Sequence, residues 1–153
     1  MSDILPVPHL PQSAEGYCLP ACARMVLAYL AIERSEAEVS QVLGAQEYGT
    51  PSFAIQRLSV LGVQVTYRQW PLFELMDTLA SKQPVIVFVR TGFLEHWVED
   101  VAHAVVIVGV EEGRRFWIND PARQRAPLAV SWDGLLAAWA EFDYRGAALS
   151  LAQ

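Results

Sequence analysis

A chain of 153 residues and 17.0 kDa has room for one hydrophobic core, and residues 1–153 are expected to form a single domain. With 53% apolar and 18% charged residues, it is no disordered or low-complexity segment. A formal net charge of -6 and a pI of about 5.0 exclude nucleic-acid binding by bulk charge, and a count of two cysteines excludes a disulfide-stapled scaffold.

The opening MSDILPVPHLPQ lacks a basic start followed by a long apolar run, so no secretory signal is read there. Three prolines within residues 3–12 predict an extended lead-in. From about Cys18 to Ile32 the chain is apolar almost all round, which predicts a central buried helix. Pro20 falls in its first turn, where a missing N–H costs nothing. Pro20 and Arg24 leave the run short of the roughly 18–20 clean apolar residues that a spanning helix needs. With neither signal nor span, a cytoplasmic location with reduced thiols is expected.

Ser35-Glu36-Ala37-Glu38 is a capping box that opens a second helix, stopped at Gly44. A third helix is expected with Thr50 as N-cap, Pro51 at its first position and Gly62 as its stop. Val63 to Tyr67 alternates as a half-buried strand does, and Pro71 to Ser81 reads as a fourth helix. Pro84 to Val89, His103 to Val110 and Arg115 to Asp120 are apolar strands, the last two joined by a hairpin turn at residues 111–114. Trp132 to Phe142 reads as an amphipathic helix and Tyr144 to Leu151 as a closing strand. Helices first and an antiparallel sheet second make an α+β plan.

Three residues of this plan carry chemistry. Cys18 opens the long helix, where the macrodipole and unpaired N–H groups favour thiolate, although a small buried hydrophobe also fits the position. His103 opens an apolar strand, and Asp120 ends the next one. If Val110 pairs with Arg115, Val105 lies opposite Asp120 and His103 opposite Ala122. His103 and Asp120 are then diagonal neighbours on one face, roughly 7–8 Å apart at the backbone, while Asn119 points to the other. A one-residue slip would reverse that choice. A thiolate, a base and an acid that orients the base constitute thiol-protease chemistry. The oxyanion would be met by the Cys18 backbone N–H and by Gln12, six residues upstream.

Gln12, Cys18, Pro20-Ala21 and the apolar helix after them resemble the start of papain-like cysteine peptidases. The nearest type is the bacteriocin-processing (double-glycine leader) peptidases and their stand-alone relatives. His103-Ala-Val-Val-Ile-Val-Gly109 and Ile118-Asn-Asp120-Pro121 match that family's histidine strand and Asp-Pro motif, and the likeness spans about residues 5–150. It implies a papain-like α+β fold with Cys18 as nucleophile, His103 as base, Asp120 as orienting acid and Gln12 as oxyanion donor. It also implies a peptide substrate cut after small residues such as Gly-Gly, no cofactor or metal, and a transporter only as a separate partner. The family usually has Gly directly after the nucleophile, where this chain has Leu19. A binding module of the same fold without turnover therefore stays open, as does an acyltransferase.

The remaining candidates are read as structural. Cys22, one turn after Cys18, is expected to be packed and inert. His96 is read as surface, and His9 has no evident partner. Trp97 fits either a groove border or an aromatic cover on the core. Arg114, Arg115, Arg123 and Arg125 are read as a solvated strand edge.

Overall fold

The structure, a computed structural model, describes residues 3–152. The lead-in is extended, as its prolines require. The Leu5 N–H donates to the Val108 carbonyl (2.8 Å) and the Gln12 N–H to the Pro121 carbonyl (2.8 Å), so the segment is laid along the sheet before the first helix starts. Helix α1 (Cys18–Tyr29) follows, with Pro20 in its first turn. Cys22, Ala23, Met25, Val26 and Leu27 are all fully buried in it, as an all-round apolar sequence demands. It stops three residues short of Ile32. Ala31 adopts a left-handed φ of 64°, its N–H bonds to the Ala28 carbonyl, and the Ile32 N–H reaches back to the Leu27 carbonyl. That is a Schellman ending with alanine where glycine is usual.

Helix α2 (Glu36–Leu43) carries the full reciprocal capping box of Ser35 and Glu38, and Gly44 ends it in the left-handed region. The third helix differs from expectation in kind and in cap. Ser52–Leu61 is a 3₁₀ helix, Pro51 is its N-cap, and Thr50 makes no capping bond. Its apolar row explains the geometry: Ile55, Leu58 and Leu61 recur every three residues, and side chains three apart eclipse in a 3₁₀ helix.

A six-stranded antiparallel sheet makes up the second half, with β1 (Val63–Gln69), β2 (Val85–Arg90), β3 (Ala102–Glu111), β4 (Arg115–Asn119), β5 (Leu128–Ser131) and β6 (Arg145–Leu151). Their spatial order is β1-β6-β2-β3-β4-β5. Val85 to Val89 and His103 to Gly109 are buried without interruption, so both faces of the sheet centre are covered. The cover comes from α1, from α3 (Leu72–Ala80) and from α4 (Trp132–Ala140). Strand β5 was not expected. It has four residues, of which only Val130 is buried. Helix α4 ends at Ala140, before Phe142, because the chain then turns through left-handed Asp143 and Tyr144 into β6. Among the described residues, no helix is long and apolar enough to cross a membrane.

The β3–β4 hairpin decides which side chains meet. Next to the turn, Glu111 pairs with Arg115 and Val110 with Phe116, one position off the expected register. A bulge between Ile107 and Gly109 then absorbs the extra residue, and Ile107 pairs with Ile118 and Val106 with Asn119. From there onward the pairing is the expected one. His103 and Asp120 share a face because the bulge cancels the offset at the turn.

Candidate active site

Cys18 is the first residue of α1, and the loop before it is tied down twice. The Ser13 N–H and hydroxyl both donate to the Glu36 carboxylate at the start of α2. Gly16 sits at φ 88°, and a Cβ there would lie 2.1 Å from the Glu47 carbonyl oxygen. Only glycine lets the 46–49 turn close onto this loop.

His103 is 7% exposed, lies opposite Val89 in the sheet and hydrogen-bonds through Nε2 to Asp120 Oδ1 at 2.7 Å. The Asp120 carboxylate is completely buried and has both oxygens filled. Oδ1 also accepts the Ala122 backbone N–H (2.9 Å), while Oδ2 takes His96 Nε2 (2.7 Å) and the Trp97 indole N–H (2.8 Å). Asn119 points the other way, as expected, and its amide donates to the Val7 carbonyl at 3.2 Å.

Electrostatics follow from these contacts. Burial works against charge on Asp120, but the hydrogen bonds from His103 and His96 outweigh it and hold the carboxyl far below the usual carboxylate range. Burial likewise works against charge on His103. The hydrogen bonds to Asp120 and to Cys18, and the charges of both partners, overcome it and raise the ring from 6.5 to about 9. With Nε2 committed to Asp120, Nδ1 is the nitrogen left for the Cys18 sulfur. The ring thus holds a proton through neutral pH beside a half-buried thiol. This arrangement can pass a proton between sulfur and a leaving group.

Cys18 and His103 border one open cleft of about 1050 Å³, together with Gln12, Leu19, Trp97 and Arg123. The Gln12 amide nitrogen donates to the Ala14 carbonyl at 2.9 Å, which leaves its second hydrogen free, and Gln12 Oε1 is buried without a partner among the described residues. Leu19 is 2% exposed and packed in the core, so its side chain does not fill the cleft. Cys22 is fully buried, its thiol donates to the Ala104 carbonyl at 3.4 Å, and burial pushes its pKa well up. It packs and is not ionised. Both cysteines are free thiols.

The readings of His96, Arg123 and His9 need correction, whereas Trp97, left open between groove border and aromatic cover, is both. His96 is not a surface residue, since it reaches back to Asp120. Trp97 borders the cleft and also lies over the His103 ring, with centroids 4.9 Å apart. Arg123 is no solvated edge charge: it stacks at 4.3 Å over Trp97, donates to the His96 carbonyl (2.9 Å), and its own carbonyl contacts His9 Nε2 at 2.6 Å. The available signal was the His96-Trp97 pair itself, two ring N–H donors in succession just ahead of the His103 strand.

Solved structures share this architecture. A protein described as a C39-like peptidase from Bacillus anthracis is 17% identical with a TM-score of 0.81, the match covering 98% of each chain. The peptidase domain of Streptococcus ComA, a bi-functional ABC transporter involved in quorum sensing, is 20% identical with a TM-score of 0.77, covering 96% of this chain and 99% of that one. A double glycine motif protease from an AMS/PCAT transporter, solved with its leader peptide, is 22% identical with a TM-score of 0.66, covering 95% and 91%. These likenesses establish the papain-like α+β fold, helices packed on an antiparallel sheet. No curated protein matches the chain. The model of the Peptidase_C39 like family matches residues 4–146, nearly the whole length, and the chain belongs to that family.

Proposed function

We propose that residues 1–153 act as one cysteine peptidase domain that hydrolyses a peptide bond through an acyl-thioester intermediate. The observation that carries this reading is the convergence of Cys18 and the His103–Asp120 pair on one open cleft. The Cys18 sulfur attacks the scissile carbonyl carbon, and its proton resides on His103. The Cys18 backbone N–H and the Gln12 amide donate to the oxyanion. The C–N bond breaks as His103 delivers the proton to the departing amine. Water, deprotonated by His103, then attacks the thioester, releasing the acid product and the thiol. Asp120 keeps the ring in one tautomer and stabilises its charged form.

The substrate class follows from family membership and from the leader peptide bound to the double glycine motif protease. It is an extended peptide with small residues, such as Gly-Gly, before the cleaved bond. ComA carries its peptidase domain within a transporter, and on that likeness a transporter is the proposed partner here. The burial of Leu19 in the core supports access of a substrate to Cys18 and so favours turnover over an inactive binding module.

Iodoacetamide alkylation over pH 4–9 with mapping of both cysteines tests the chemistry. Selective labelling of Cys18 below pH 7, lost toward ordinary thiol behaviour in His103→Ala, is the expected result. Labelling only near pH 8.5, the range of a free thiol at about that pKa, would overturn it. Mass analysis of a Gly-Gly peptide product, with and without an added amine, separates hydrolysis from acyl transfer.

A further inference from the structure

We propose that His96, with Trp97 beside it, is a positioning residue that acts on His103 through the Asp120 carboxylate. The inference rests on the reading of Asp120 as the acid that orients His103, and it goes beyond the Cys18, His103, Asp120 and Gln12 set.

An ionised carboxylate offers about four acceptor directions, and Asp120 has four donors. Two of them, the Ala122 backbone N–H and the His103 ring, fall on Oδ1. The other two, His96 and Trp97, fall on Oδ2. Without the second pair, the carboxylate is held at Oδ1 alone, by the Ala122 N–H and the His103 ring, and its last torsion loses half of its hydrogen bonds. The Oδ2 pair therefore narrows the directions in which Oδ1 can point.

The His96 contact is built, not incidental. The 91–101 segment that carries it is anchored along its length. Buried Thr91 donates its hydroxyl to the Glu99 carbonyl (2.6 Å) and accepts the Val101 N–H (2.9 Å). Glu95 accepts the Ser131 hydroxyl (2.6 Å) and N–H (3.0 Å) at the head of α4. Arg123 holds the His96 carbonyl and stacks on Trp97. His96 Nδ1 is buried with no partner among the described residues, so Asp120 is the only hydrogen-bond partner of the ring. A ring held by an anchored segment and bonded through one nitrogen to one carboxylate is placed for that carboxylate.

The test uses the full chain. The His103 ring titration is followed by nitrogen-15 NMR, and the rate of Cys18 alkylation below pH 7 is measured, in wild type, His96→Phe and His96→Gln. Phenylalanine fills the space without the donor, whereas glutamine keeps an N–H near the position of Nε2. His96→Phe is expected to lower the His103 midpoint and slow Cys18 alkylation about tenfold, the scale of a small misplacement of a reacting group. His96→Gln is expected to restore most of both. A folded His96→Phe chain with both readouts unchanged overturns the proposal, as does His96→Gln behaving like His96→Phe, which would point to ring packing alone. If His96→Phe fails to fold, Trp97→Phe decides, because it removes the other Oδ2 donor while keeping an aromatic ring beside His103 and Arg123: a shift in the same direction supports the proposal and no shift overturns it. Failure of the peptidase reading looks different. Wild-type Cys18 would then be unreactive below pH 7, while the His103 midpoint would still respond to His96.

Discussion

Asp120→Asn changes the charge of the site and almost nothing of its shape. The carboxylate receives two donors on each oxygen, and an amide has one oxygen to offer. If that oxygen faces His103 and Ala122, the NH₂ meets the Trp97 indole N–H. If it is turned around, the NH₂ meets the Ala122 backbone N–H. Neither donor can reverse itself, so one is orphaned in either orientation, at a cost of about 1–3 kcal/mol. The larger effect depends on pH. His103 titrates near 9 in the folded chain against 6.5 ordinarily, so the native state holds this proton more tightly than the unfolded one. The resulting stabilisation is complete below pH 6.5, shrinks as pH rises and is gone above about 9. Its size is about 3 kcal/mol, at about 1.4 kcal/mol per pH unit. Asp120 supplies the leading favourable contribution, and Cys18 the next. Urea unfolding of wild type at about pH 6 and about pH 9.5 is expected to show a loss of about 3 kcal/mol, and Asp120→Asn less than half of that. Parallel stability profiles for the two proteins would refute the coupling of His103 to Asp120 argued here.

Gly16→Ala is expected to cost about 2 kcal/mol or more, from a left-handed residue and a Cβ driven into the Glu47 carbonyl, and an unchanged Tm would sink that account. Ala31→Gly is expected to stabilise the chain by about 0.5–1 kcal/mol, because it relieves a left-handed alanine at the α1 terminus, with part of the gain lost to a freer unfolded state. A lower Tm would show that the Ala31 methyl packs usefully. In the native chain at neutral pH, iodoacetamide should spare Cys22 entirely until the protein is unfolded, since that thiol is buried and held protonated. Native-state labelling at Cys22 would mean that α1 opens far more readily than its packing implies.

Elements with strong local signals were legible in the sequence. The capping box of α2, the glycine after Leu61 and the apolar strands β2 and β3 each rest on chemistry contained within a few residues. Local pattern failed where two states share one signal. Thr50-Pro51 reads as a helix start, but the apolar spacing of three in Ile55, Leu58 and Leu61 selects a 3₁₀ helix capped at Pro51. Strand β5 is four residues with one buried side chain, too little for any period to show. The facing of His103 and Asp120 was anticipated from a register that does not hold at the turn itself. Two departures cancel, because β3 pairs one residue further into the turn and the bulge takes up the difference. His96 shows a different limit. Its partner lies across the fold, and the adjacent Trp97, a second ring N–H donor, is the one local hint of a shared acceptor. Its placement depends on the anchoring of a whole loop, which only the assembled chain displays.

Cys18 lies on a helix of the first half, whereas His103 and Asp120 belong to a hairpin of the second. A chain growing from its N-terminus therefore carries the thiol long before it carries the ring that borders the same cleft. Any length that stops short of β3 leaves Cys18 without His103 or Asp120, and loop closure across the whole β1–β2 region must precede the pairing. The meeting of Cys18 with His103 and Asp120 is thus withheld until β3 and β4 are in place. The order of the chain itself keeps the thiol and the ring apart until the sheet has formed.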